Sequence, residues 1–88
     1  MSRYSVSLSR TAAKYFERCG APTRDRLRQK LERLKADPFD PQNSKPLEGR
    51  SDQRSARVGG LRILFRVEGL DIIVADIGPR GEIYKHGH

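Results

Sequence analysis

The residues of this chain best suited to chemistry are arginines that strand geometry brings together. Gly59-Gly60 reads as a two-residue hairpin loop, with glycine available for positive φ. Counting outward from it places Val58 opposite Leu61 and Arg57 opposite Arg62, and directly opposed residues project from one face of a sheet. Like charges side by side destabilise a sheet, and a phosphate bound between them relieves the repulsion. The plain structural alternative is two splayed, solvated arginines. The same pleat sends Leu61, Ile63, Phe65 and Val67 to the opposite face as an apolar run. On the following hairpin, a Glu68-Gly69 loop pairs Val67 with Leu70 and Arg66 with Asp71. That predicts a surface salt bridge of at most about 1 kcal/mol and leaves Arg66 outside the site. The face with Arg57 and Arg62 also carries Leu64, Ile73 and Ala75, apolar groups that the helices do not cover, which predicts a protein partner there.

Other chemistries find no support. No Cys or His spacing suits zinc, no glycine-rich loop with Lys-Ser or Lys-Thr suits nucleotide phosphates, and no recognisable motif sets up paired carboxylates. His86 and His88 read as part of a terminal tail. The expectation is a site with no metal and no small-molecule cofactor.

The elements that must position these arginines are legible from periodicity. Tyr4-Ser5-Val6-Ser7-Leu8 alternates apolar and polar residues, predicting a first strand. Ser9 caps a helix to about Cys19, with Ala12, Ala13, Tyr15, Phe16 and Cys19 on one side, and Gly20 ends it. Pro22 suits the first turn of a second helix, whose stripe is Leu27, Leu31 and Leu34 and whose end falls near Asp37, before Pro38. Residues 37–44 read as an ordered, irregular connection. Three short β segments follow, at about 54–58, 61–67 and 70–77, then a sharp turn at Gly78-Pro79-Arg80-Gly81. The predicted class is α+β: an N-terminal strand, a two-helix hairpin, then an antiparallel three-stranded meander forming one sheet.

Totals bound the function classes. A chain of 88 residues supports one core and one domain over residues 1–88, since at this size folding buries only roughly 60 to 65% of the unfolded surface. A net charge of +7, from 18 Lys and Arg against 11 Asp and Glu, favours a polyanionic partner. The single Cys19 makes no internal disulfide, no apolar run approaches the ~20 residues of a membrane span, and residues 1–6 lack a secretory signal. A cytoplasmic address with no membrane partner is expected.

The order of these elements, with Lys45-Pro46-Leu47-Glu48-Gly49, the stretch from Ala56 to Phe65 and Gly78-Pro79-Arg80-Gly81-Glu82-Ile83-Tyr84, resembles the RelE/ParE superfamily of bacterial and archaeal toxins, closest to the RelE branch. The resemblance covers nearly the whole chain and implies a RelE-like microbial ribonuclease fold and a cognate antitoxin. It implies a metal-independent endoribonuclease that cuts mRNA in the A site of the 70S ribosome. There the RNA's own 2′-OH attacks the adjacent phosphate, arginines stabilise developing charge and another side chain moves protons. Carried over by position, the resemblance puts catalytic roles on Arg62, Arg80 and Tyr84. Tyr84 remains open to three uses: stacking on a base, carrying a proton, or covering the core edge. Lys45, Arg50, Arg54, Arg57 and Lys85 are the candidates for holding RNA, Arg57 in place of the closely spaced lysines that some RelE toxins carry. Glu48 with His86 is a second candidate acid/base pair. A ParE-like inhibitor of DNA gyrase, acting by protein contact alone, is the alternative reading.

Overall fold

The computed structural model describes residues 3–47 and 49–79, with the side chains of residues 50 and 51 left aside. The elements in chain order are β1 (Ser5–Leu8), α1 (Arg10–Arg18), α2 (Ala21–Ala36), β2 (Lys45–Leu47), β3 (Arg50–Val58), β4 (Leu61–Glu68) and β5 (Asp71–Pro79). Local chemistry sets the helix boundaries. Ser9 Oγ accepts the Ala12 N–H at 3.1 Å, satisfying one donor of the first turn of α1, and donates to the Ala75 carbonyl at 2.7 Å. Gly20, at φ 82°, makes the reversal between the helices, and Pro22 lies in the first turn of α2. Asp37 is already extended, as Pro38 requires of the residue before it.

The five strands form one mixed sheet in the order β1-β5-β4-β3-β2. The expected meander is its centre, enlarged on both sides. β1 adds parallel to β5, pairing Ser5 with Asp71 through Leu8 with Val74. The three residues of β2 add antiparallel to β3, which itself begins at Arg50 rather than near residue 54. The first hairpin has the expected register, Val58 with Leu61 and Arg57 with Arg62. The second does not: Glu68 pairs with Asp71 and Arg66 with Ile73, so the loop is Gly69-Leu70. The reason is backbone sign. In both hairpins the first loop residue has positive φ, Gly59 at 58° and Gly69 at 60°, and in the second only Gly69 supplies it without strain. Arg66 consequently pairs with Glu68 on its own strand, not with Asp71. A bulge opposite Leu64 and Phe65 also puts Asp76, rather than Ala75, across from Leu64.

One face of the sheet carries the core. Ala56, Ile63, Phe65, Ile72, Val74 and Ile77 pack beneath Ala12 of α1 and Leu27, Leu31 and Leu34 of α2, all ten buried. Ile63 and Phe65 are the centre of the apolar run expected on β4, with Leu61 and Val67 partly buried at its ends. α1 lies on β5, while α2 reaches across β3 and β1. No helix of the described residues is long and apolar enough to cross a membrane.

Candidate nucleic-acid interface

β3 changes character along its length. Lys45 and Pro46 of β2 cover it at Ser55 and Arg54, and beyond Ser55 its outer edge has no strand partner among the described residues. The connection from α2 to β2 folds beside this step. Asp37 accepts the Phe39 N–H at 3.0 Å, Asp40 accepts the Gln42 N–H at 2.9 Å, and the Asn43 side chain donates to the Asp37 carbonyl at 3.0 Å. These are side-chain turns that hold an irregular segment without helix or ladder. Between this connection, the step in β3 and α2 lies an open cavity of about 380 Å³. Lys30, Asn43, Lys45, Ser55, Arg57 and Arg62 are among the residues lining it.

Three candidates from the sequence therefore meet in one place: Arg62, Arg57 and Lys45. Arg57 and Arg62 are cross-strand partners, and Arg62 donates from a terminal nitrogen to Ser55 Oγ at 3.0 Å. Ser55 is only 6% exposed and stands opposite Lys45, so the hydroxyl holding Arg62 is itself fixed by packing. A guanidinium positioned before a ligand arrives needs little reorganisation to meet an anion, the condition under which such a group stabilises developing negative charge most.

Arg54 is placed elsewhere and outside this lining. Its Nε donates to Ser44 Oγ at 2.8 Å, another nitrogen reaches the Ser44 carbonyl at 3.4 Å, and its guanidinium carbon sits 5.2 Å from the centre of the Phe39 ring. It braces the 37–44 connection. Arg50 contributes backbone to β3 opposite Leu47. Arg80, Tyr84 and Lys85, and the pair Glu48 and His86, lie outside the described residues. Among the described residues, no group of three His, Cys, Asp or Glu side chains is arranged to hold a metal ion.

Ser55 and Lys30 are among the lining residues that escaped the sequence reading. Ser55 shares a face with Arg57 by simple alternation, a signal obscured by its small, common side chain. Lys30 belongs to α2 and enters from the helical layer; it flanks the Leu27-Leu31-Leu34 stripe, where a lysine reads as ordinary solvated surface. Burial, and secondarily the nearby Arg33 guanidinium, lower its pKa from the usual 10.5. Both causes disfavour the charge, and an anion in the cavity offsets both.

The comparisons with known proteins agree with this architecture. The family model of the ParE toxin of the type II toxin–antitoxin system parDE matches residues 6–84. No curated protein matches the sequence. Among solved structures, the isolated Escherichia coli RelE toxin is similar at a TM-score of 0.76 and 23% identity, over 96% of this chain and 94% of that one. RelE in the archaeal RelE–RelB complex of Pyrococcus horikoshii is similar at a TM-score of 0.75 and 22% identity, over 90% and 97% of the two chains. The intact Escherichia coli RelBE complex gives 0.74 and 25%, over 86% and 95%. With a family match spanning nearly its whole length and the fold of the RelE toxins, the chain belongs to the ParE toxin family of type II toxin–antitoxin systems, within the RelE/ParE superfamily.

Proposed function

We propose that this toxin is a ribosome-dependent endoribonuclease that cuts mRNA in the A site without a metal ion. The observation that carries the reading is the cavity at the step in β3, where Arg57 and Arg62 stand opposed and Lys45 and Lys30 join them. Such a concentration of cations around a pre-positioned guanidinium suits a phosphodiester better than a protein surface. In the proposed reaction the 2′-oxygen bonds to phosphorus and the P–O5′ bond breaks, leaving a 2′,3′-cyclic phosphate and a 5′-OH. One group removes the 2′-OH proton and another protonates O5′. Arg62 stabilises the charge on the non-bridging oxygens, and Arg80 is proposed as its partner. Tyr84, or Glu48 with His86, carries the protons. Arg57 and Lys45 hold the backbone, extended by Arg50 and Lys85. The cognate partner is an antitoxin that lies over the open sheet face around Leu64 and Ile73. The RelE–RelB complexes that share this fold are pairs of that kind.

A second reading, inhibition of DNA gyrase by protein contact, is favoured by one observation: the matching family model is that of ParE. Two assays on the purified chain separate the readings. Primer extension on a defined mRNA with purified ribosomes should show cuts only in ribosome-bound message, lost in Arg80→Ala and Arg62→Ala. Inhibition of gyrase supercoiling that persists in both variants, with no cuts, would establish the gyrase reading instead.

A further inference from the structure

The positive charge of the interface does not stop at the cavity. A second cavity of about 240 Å³ adjoins it, sharing Lys30 and Arg57 and adding Arg26, Gln29 and Arg33 of α2. Among the described residues neither lining contains an Asp or a Glu.

Apart from Arg24, which donates to the Phe16 and Glu17 carbonyls of α1, the charges of α2 lie on two distinct stripes, which makes the second cavity more than generic basic surface. Residues 25, 28, 32 and 35 form ion pairs along the helix, Arg28 to Asp25 at 3.3 Å and Lys35 to Glu32 at 3.1 Å. Residues 26, 29, 30 and 33 share another face of the helix, which meets β3, and among the described residues lining that cavity there is no acid. Arg26 to Arg33 spans two turns, roughly 10 Å. Within this stripe the pKa of Lys30 is lowered by burial and then by Arg33, so its charged form is disfavoured where it stands.

We propose that this stripe of α2 is a second binding track for a single-stranded nucleic-acid backbone, continuing from the cavity at the step in β3 along the helix. It rests on the reading of that cavity as the RNA site and extends it: the toxin holds several nucleotides beyond those at the cleavage position. Arg26 and Arg33 are backbone-gripping residues of the track, and Lys30 and Arg57 form the joint between track and cavity.

The test is fluorescence anisotropy of the full chain with labelled, uncleavable deoxyoligonucleotides of three and ten residues, titrated over a range of salt. Each single-strand phosphate contact contributes about 0.7 to the slope of log K against log salt, so Arg26→Gln with Arg33→Gln should flatten the decamer slope by roughly 1.4. Trinucleotide binding should stay within about two-fold, because neither residue lines the first cavity. Arg28→Gln with Lys35→Gln removes the same charge from the ion-paired stripe and should change the decamer slope by less than half as much. An unchanged slope in the first variant, or equal flattening in both, overturns the track. So does a larger loss for a ten-base-pair duplex than for the single strand. Failure of the trinucleotide to bind, or indifference of its binding to Arg62→Ala, instead counts against the cavity as the RNA site and leaves the decamer slopes to decide the track separately.

Discussion

Arg54 and Arg57 stand three residues apart on the same strand, yet the two halves of β3 use arginine in opposite ways. Where β2 and the 37–44 connection cover the strand, Arg54 has a hydroxyl, a carbonyl and an aromatic ring to meet. Past β2, Arg57 faces Arg62 across the hairpin, and the hydroxyl of Ser55 steadies Arg62. The first arrangement ties a guanidinium to the 37–44 connection; the second sets two guanidinium groups face to face on the wall of the cavity. On the proposed reading an arginine on a sheet is structural or functional according to what its neighbours offer, and the boundary between the two uses is the single residue Ser55.

This contrast is open to direct attack. Arg62→Ala should lower ribosome-dependent cleavage by roughly 10²- to 10³-fold, the usual loss when one pre-positioned charge-stabilising donor is removed, while a urea melt shows a loss of about 1 kcal/mol from the Ser55 bond. Arg54→Ala should do the reverse. Its melt should show a loss of about 1 to 3 kcal/mol from the Ser44 bonds and the Phe39 contact, with cleavage per folded molecule reduced far less. If Arg54→Ala abolished cutting at full stability, the division of β3 proposed here would be wrong. Ser55→Ala lies at the boundary and should affect both sides mildly: about 1 kcal/mol of stability and a several-fold loss of rate, separable by melting and single-turnover assays.

The smallest effect concerns Lys30. Its folded pKa is lower than its unfolded one, so the folded chain binds fewer protons between the two values and stability rises with pH across that window. Below the lowered value the penalty is present in full, and above about 10.5 it is gone. Lys30→Met should therefore be slightly more stable than the parent at pH 7 and lose that advantage towards pH 10.5, as urea melts at several pH values would show. Bound oligonucleotide should shrink the difference at pH 7.

The sequence discloses one half of this contrast far better than the other. The facing arginines were legible because Gly59 supplies positive φ at the position the loop needs and Gly60 places no demand, so counting from the loop gives the true register. The same counting fails at the next turn because Gly69 is the first loop residue there, which moves Asp71 away from Arg66. β2 was not foreseeable from three residues containing a proline, and alternation puts Arg54 and Arg57 on opposite faces but does not say which of them the 37–44 connection will meet. Lys30 was invisible for a related reason. Helical periodicity separates buried from exposed positions, but it does not say which exposed stripe a neighbouring sheet edge will meet.

The parallel pairing of β1 with β5 has a consequence in time. Ser5 pairs with Asp71 and Leu8 with Val74, each 66 residues apart (71 − 5 and 74 − 8), and Ser9 reaches Ala75 across the same interval. At roughly 5 to 20 residues per second, a ribosome making this chain adds each β5 partner about 3 to 13 s after the β1 residue it pairs with. Through that interval β1 has no strand to join and the cap of α1 lacks its carbonyl acceptor, so the sheet closes late, by its least local contact. Each new copy of the toxin therefore passes its synthesis with an open sheet, and the strand that closes it is the one that ends beside Arg62.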